Sequence, residues 1–165
     1  MDLRISKGTT ALAAGAIMIM VTASAPSASA ATSAGPFTWR NGNSGLCLEI
    51  WGDSTENGAS ANQWECNGSA TQKWYSSNPS GWGTIVNANS GKCLEIRGDS
   101  KANGAGANQW DCNGSDTQKW FWDWQTGNLG NLNSRRCLEI RGGSQQNGVV
   151  VTQWDCNRSP TQAWR

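Results

Sequence analysis

The chain contains no histidine. That removes the side chain best suited to proton transfer at neutral pH and the commonest metal ligand. With no Cys-x-x-Cys pair either, a zinc cluster has no ligand set, and no metal or other cofactor is expected. Gly-x-Ser-x-Gly and phosphate-loop sequences are missing too, so the usual routes to nucleophilic and phosphoryl chemistry lack their parts. Charge is sparse, with 15% of residues Asp, Glu, Lys or Arg, and no basic patch stands out. Nucleic acid is therefore not an expected partner, nor is a membrane surface bound through a cationic face. Helical periodicity is also lacking. Gly, Asn, Ser and Thr interrupt every apolar stretch, and none keeps an i, i+3, i+4 pattern for three turns.

The one long apolar run, "ALAAGAIMIMV", lies near the N-terminus, after Arg4 and Lys7 and before Ala28-Ser29-Ala30. That order is the charged, apolar and A-x-A sequence of a secretory signal peptide over residues 1–30, and the run is too short to span a membrane. No membrane insertion is expected. The exported chain then starts near Ala31, about the length of one ordinary domain. Arg4, Lys7 and Asp2 fall in the leader, which leaves eleven basic and eleven acidic residues and no net charge.

What is abundant is repetition. "CLEIWGDSTENGASANQWECNGSATQKW" from Cys47 to Trp74 returns from Cys93 as "CLEIRGDSKANGAGANQWDCNGSDTQKW". It returns again from Cys137 as "CLEIRGGSQQNGVVVTQWDCNRSPTQAW". The period is 46 and then 44 residues, a spacing typical of repeat architectures, with repeats over about 37–78, 79–124 and 125–165. All six cysteines lie in the exported part, as suits an oxidising, extracellular compartment. Equivalent units most simply make equivalent bonds, which predicts Cys47–Cys66, Cys93–Cys112 and Cys137–Cys156. Loops of that size are worth roughly 3 kcal/mol each in the chain-entropy picture.

Short strands fit the local sequence: "FTWRN", "CLEIW", "NQWEC" and "KWYSS" in the first copy, separated by Asn-Gly and Gly-Asp turns. Four strands in three copies make twelve. Three copies without atypical caps favour a closed three-fold, all-β object over a solenoid. Strand alternation then places side chains. In "CLEI", Cys47 and Glu49 share one face while Leu48 and Ile50 face the core; in "NQWEC", Asn62, Trp64 and Cys66 share a face. Joining Cys47 to Cys66 brings these faces together, so Glu49, Asn62 and Trp64 converge. The same holds for Glu95, Asn108 and Trp110, and for Glu139, Thr152 and Trp154. A carboxylate and an amide match vicinal hydroxyls, and an indole covers the C–H face of a sugar ring. Carbohydrate is the expected partner.

The Gln-x-Trp at Gln72–Trp74, Gln118–Trp120 and Gln162–Trp164, together with Cys-Leu-acid-Ile and Trp-acid-Cys, resembles the ricin B-type lectin family over about Phe37 to Arg165. The resemblance implies a β-trefoil of three homologous four-strand repeats that binds carbohydrate at up to three shallow sites. It also implies a polar contact just before each Gln-x-Trp, at Thr71, Thr117 and Thr161, and Gln-x-Trp tryptophans that build the interior. This chain departs from the family in having Glu where Asp is usual, Asn62, Asn108 and Thr152 where Gln is usual, and Thr where Asn precedes Gln-x-Trp. An apolar residue is usual where it has Gln63, Gln109 and Gln153. Changes shared so evenly read as a different specificity, and galactose is not assumed.

Catalysis has few candidates. Each repeat offers its pocket one obvious acid, because Glu65, Asp111 and Asp155 alternate to the opposite face, whereas a glycosidase needs two. A protein-binding trefoil, such as a secreted protease inhibitor, is the alternative, but it has no need of three matched pockets. Copies one and two are expected to dominate. Copy three carries Thr152, and Gly143 where the others have Asp53 and Asp99. Asn67-Gly68-Ser69, Asn113-Gly114-Ser115 and Asn157-Arg158-Ser159 match the glycosylation sequon, but their equivalent placement points to turn chemistry.

Overall fold

The structure is a computed structural model that describes residues 33–165; the expected signal peptide lies outside the described residues. Eleven strands follow in order: β1 Ala34–Phe37, β2 Cys47–Ile50, β3 Ala61–Trp64, β4 Trp74–Ser76, β5 Gly83–Asn87 and β6 Cys93–Ile96. The remainder are β7 Ala107–Trp110, β8 Lys119–Asp123, β9 Asn128–Asn131, β10 Cys137–Ile140 and β11 Val151–Trp154. Antiparallel pairing runs β1–β4–β5–β8–β9, and isolated bridges Asn128↔Ala163 and Asn41↔Trp164 complete the ring. Each repeat adds one hairpin, β2–β3, β6–β7 or β10–β11, and bridges between Ser60 and Asn108, Asn62 and Val150, and Gly106 and Thr152 join the three hairpins to one another. This is a β-trefoil.

The twelve expected strands become eleven. Around Ala163 and Trp164 only single bridges form in place of a ladder. "FTWRN" is likewise offset: the strand ends at Phe37, and Arg40 and Asn41 contribute single bridges. Trp51 leaves the strand to open a 3₁₀ turn, Trp51–Asp53, because Gly52 takes the left-handed conformation there. Cys66 lies beyond β3, where its disulfide rather than a ladder fixes it.

The core follows the alternation. Leu48, Ile50, Leu94, Ile96, Leu138 and Ile140 are buried with Trp74, Trp120 and Trp164 in a single cluster. Each of these indoles donates its Nε1 hydrogen to a backbone carbonyl, on Leu48 (3.0 Å), Leu94 (2.8 Å) and Leu138 (3.0 Å) respectively. Burial therefore leaves none of these three polar groups unpaired. The disulfides are Cys47–Cys66, Cys93–Cys112 and Cys137–Cys156, as the repeat predicts.

The inward glutamines, for which the sequence offers no reason, bind the repeats together. Gln109 Nε2 donates to the carbonyls of Ser54 and Glu56 in repeat one, while its Oε1 accepts from Ser90. Gln153 reaches Ser100 and Ala102 of repeat two, and Gln63 reaches Ser144 and Gln146 of repeat three. The three contacts run head to tail and close a circle.

Candidate functional site

Register sets the site. Across β2–β3, Cys47 stands opposite Trp64 and Glu49 opposite Asn62, while Leu48 faces Gln63 on the inner side. The other two hairpins repeat the pairing with Glu95 opposite Asn108 and Glu139 opposite Thr152. The acid and the tryptophan of each repeat therefore project from one face, beside the disulfide.

Repeat one has a cleft of about 280 Å³ lined by Glu49, Trp51, Asp53, Trp64, Asn67 and Thr71. Repeat two has one of about 610 Å³ that brings together Glu95, Asn108, Trp110 and Thr117. Arg97, Asp99, Asn113 and Ser115 line it too, and Gly58 of repeat one supplies part of the wall. Asn62 does not line the first cleft; it is fully buried, with its amide near the Glu49 carboxylate. In repeat three Thr152 is also buried with its hydroxyl unpaired, while Trp154 is exposed and Thr161 half-buried.

The carboxylates are held from below. Gln72 Nε2 donates to Glu49 Oε2 at 2.9 Å and to the Glu65 carbonyl, and its Oε1 accepts from the Asn67 amide. Gln118 and Gln162 do the same for Glu95 (3.1 Å) and Glu139 (3.2 Å). The glutamine of Gln-x-Trp is thus the strut of the site acid. Burial pushes the Glu49 and Glu95 carboxyls above their usual range, and the amides of Gln72 and Gln118 only partly offset it. Nearby Asp53 and Asp99 add a smaller push in the same direction. The Thr71 hydroxyl shares a 2.6 Å hydrogen bond with Ser69, and Thr117 and Thr161 pair likewise with Ser115 and Ser159.

One expectation is corrected. The first two clefts hold two acids each, not one, because the 3₁₀ turn after each Cys-Leu-Glu-Ile folds Asp53 or Asp99 back to the rim. Both aspartates have φ 53°, a left-handed conformation that Asp tolerates and Gly143 adopts freely in repeat three. The sequence marked the position only as a difference between copies. Trp51 and Arg97 had no signal beyond exposure at a turn. Asn67, Asn113 and Asn157 accept the backbone N–H two residues on (2.8–2.9 Å), the turn role their placement predicted.

A closed trefoil with an acid and a tryptophan sharing a cleft on two of its three hairpins defines a class, the β-trefoil modules of lectin type. The model of the ricin-type β-trefoil lectin domain matches residues 36–164, and the chain belongs to that family. Among solved structures it is similar to a designed three-fold symmetric protein, ThreeFoil, with 28% identity and TM-score 0.74, over 78% of this chain and 94% of that one. It is also similar to an exo-β-1,3-galactanase from Clostridium thermocellum, with 30% identity and TM-score 0.72, again over 78% of this chain but only 29% of that one. The C-half of an earthworm R-type lectin, solved with GalNAc, shares the fold at 15% identity and TM-score 0.66, over 78% of this chain and 95% of that one. A search of curated proteins gives no match.

Proposed function

We propose that this chain is a secreted carbohydrate-binding module that takes glycans or polysaccharide in shallow clefts, chiefly those of repeats one and two. Glu49 and Glu95 accept from sugar hydroxyls, Trp64 and Trp110 cover the C–H face, and Thr71 and Thr117 add a polar contact. Glu139, Thr152, Trp154 and Thr161 form a weaker third site, lacking the second acid. The observation that carries this reading is the convergence of Glu49 and Trp64 in one cleft, repeated at Glu95 and Trp110. Three disulfides suit an extracellular location. A glycan array probed with the full chain and with a Trp64→Ala, Trp110→Ala double variant tests it, with GalNAc and β-1,3-galactan as natural first probes. Glycan signal that disappears in the double variant supports the reading; no glycan signal at all favours a protein partner.

A hydrolytic reading has one observation in its favour, the second carboxylate beside a raised Glu in each of two clefts. Against it, the Glu49 oxygen nearest the strut is engaged by Gln72, and the clefts are shallow rather than enclosing. The expectation is binding without turnover. Release of reducing ends from a bound polysaccharide, lost in Asp53→Asn, overturns it.

A further inference from the structure

The repeats are near copies, but the crossing point beside the first cleft differs. Trp51 stands where repeats two and three carry Arg97 and Arg141. Trp51 is 52% exposed, and its ring meets that of Trp64 edge-to-face, with centroids 5.7 Å apart at 79°. It also rests on Gly148 of repeat three, where a Cβ atom would come within 2.8 Å of Trp51 Cζ3. At the corresponding Gly58 and Gly104 a Cβ would meet only Trp110 or Trp154, at 3.7 Å. Trp51 is thus a fixed ridge with no counterpart in the other repeats. In repeat two the same position is spanned by Arg97, whose Nη2 donates to the Gly58 carbonyl at 2.7 Å.

Behind the ridge lies a second cleft of about 480 Å³, lined by Trp51, Ser54, Ser60, Asn62, Gly148 and Val150. It shares only Trp51 with the acid-lined cleft. Its lining is polar at Ser54 and Ser60 and apolar at Val150 and the Trp51 ring, and the buried Asn62 lies beneath it. Neither cleft is lined by a cation, and the first carries two carboxylates, so an anionic sugar is disfavoured.

We propose that repeat one binds at least two consecutive units of a neutral saccharide chain laid across Trp51. One unit sits in the Glu49–Trp64 cleft, and the next sits over Ser60, Asn62 and Val150 with Trp51 between them as a two-sided stacking surface. Repeats two and three, with arginine at the crossing, take single units. The inference rests on the carbohydrate reading of the acid-lined cleft and fixes the length of ligand that cleft's neighbour adds.

The test follows tryptophan indole N–H signals by ¹⁵N NMR in the full chain. Matched monosaccharide and tetrasaccharide pairs are titrated from β-1,3-galactan, β-1,4-xylan, β-1,4-glucan, β-1,4-mannan and chitin. In a series that binds, the tetrasaccharide is expected to move the Trp51 signal and to bind repeat one at least about ten-fold tighter than the monosaccharide. Val150→Trp, at a position already exposed, fills the second cleft and should abolish that gain while monosaccharide still moves the Trp64 signal. Trp51→Arg should abolish it as well. Equal affinities for the two lengths at repeat one, or a gain that survives Val150→Trp, overturn the extended site but leave the lectin reading intact. No indole shift with any saccharide overturns both.

Discussion

Glu49 and Glu95 are acids kept largely out of water beneath the surface that is proposed to receive a hydroxyl, and the two tasks pull against each other. Burial raises both carboxyls above their ordinary range. Between the ordinary and the raised value the folded chain binds more protons than the unfolded one, so stability falls as pH rises through that window. Ligand binding has the opposite sign, because a protonated carboxyl loses much of its strength as an acceptor when pH falls through the raised value. Glu49→Gln with Glu95→Gln should therefore flatten the dependence of Tm on pH just above the ordinary glutamate range while abolishing glycan binding. Thermal melts and titrations in the same buffers check both. The two kinds of tryptophan separate just as sharply. Trp74 is fully buried and hydrogen-bonded, so Trp74→Ala should cost about 3–5 kcal/mol in chemical denaturation. Trp64→Ala should leave stability within about 1 kcal/mol and lower binding instead. Period-two alternation put Glu49 and Trp64 on the disulfide face, and the interior place of Trp74 came from the resemblance to the family. Asp53 was not legible as a second acid, because a left-handed residue in a turn obeys no strand period.

At the scale of elements, each hairpin is a finished unit only when its neighbour's loop is in place. Gln109 shows why: its carboxamide satisfies two carbonyls of the repeat-one loop and accepts from Ser90 within its own repeat. The sequence put Gln63, Gln109 and Gln153 on the core side of their strands, where an amide without partners is costly. Their acceptors lie 51 to 83 residues away, beyond the reach of any local pattern, so the role emerged only from the closed fold. Gln109→Leu keeps the bulk but orphans those groups. We expect it to cost about 3 kcal/mol, with unfolding in guanidinium as the measurement. The same substitution should also weaken the second site, because the loop it releases carries Gly58, part of that cleft's wall. A loss of stability below about 0.5 kcal/mol would show that the carbonyls find other partners. Strand count was the coarser miss. Twelve short strands could be read from turns and cysteines, but pairing at Ala163 and Trp164 is confined to single bridges, which no local pattern tells from a strand.

For the whole molecule, closure places the proposed sites of all three repeats on one domain, and on that reading the domain is multivalent. Backbone hydrogen bonds join Arg40 to Arg165 in both directions, 2.7 and 2.9 Å, so the start and end of the ring hold each other. The clefts of repeats one and two share no lining residue, so on the carbohydrate reading each can take its own stretch of ligand. A monosaccharide in either cleft stacks on one indole and makes a few hydrogen bonds, so it should bind with a Kd near 1 mM, about −4 kcal/mol. A polysaccharide that reaches two clefts at once gains from effective concentration, and retention on an immobilised polymer should exceed the monosaccharide affinity by a factor of about 100 or more. On this reading the copies should not contribute equally. Repeat three lacks the second acid, with Gly143 in place of an aspartate, and buries Thr152 where the others have an asparagine. Trp154→Ala should therefore change retention less than two-fold, on the order of 0.4 kcal/mol. Trp64→Ala or Trp110→Ala alone should bring it down toward the single-site level, and the two together should remove it. Affinity electrophoresis and calorimetry on the five proteins (wild type, three single variants and the double variant) give these numbers directly. If the double variant is retained as well as wild type, the polymer is held elsewhere, and the exposed pair Trp82 and Phe121, with Arg135 stacked on the Trp82 ring, becomes the next surface to change.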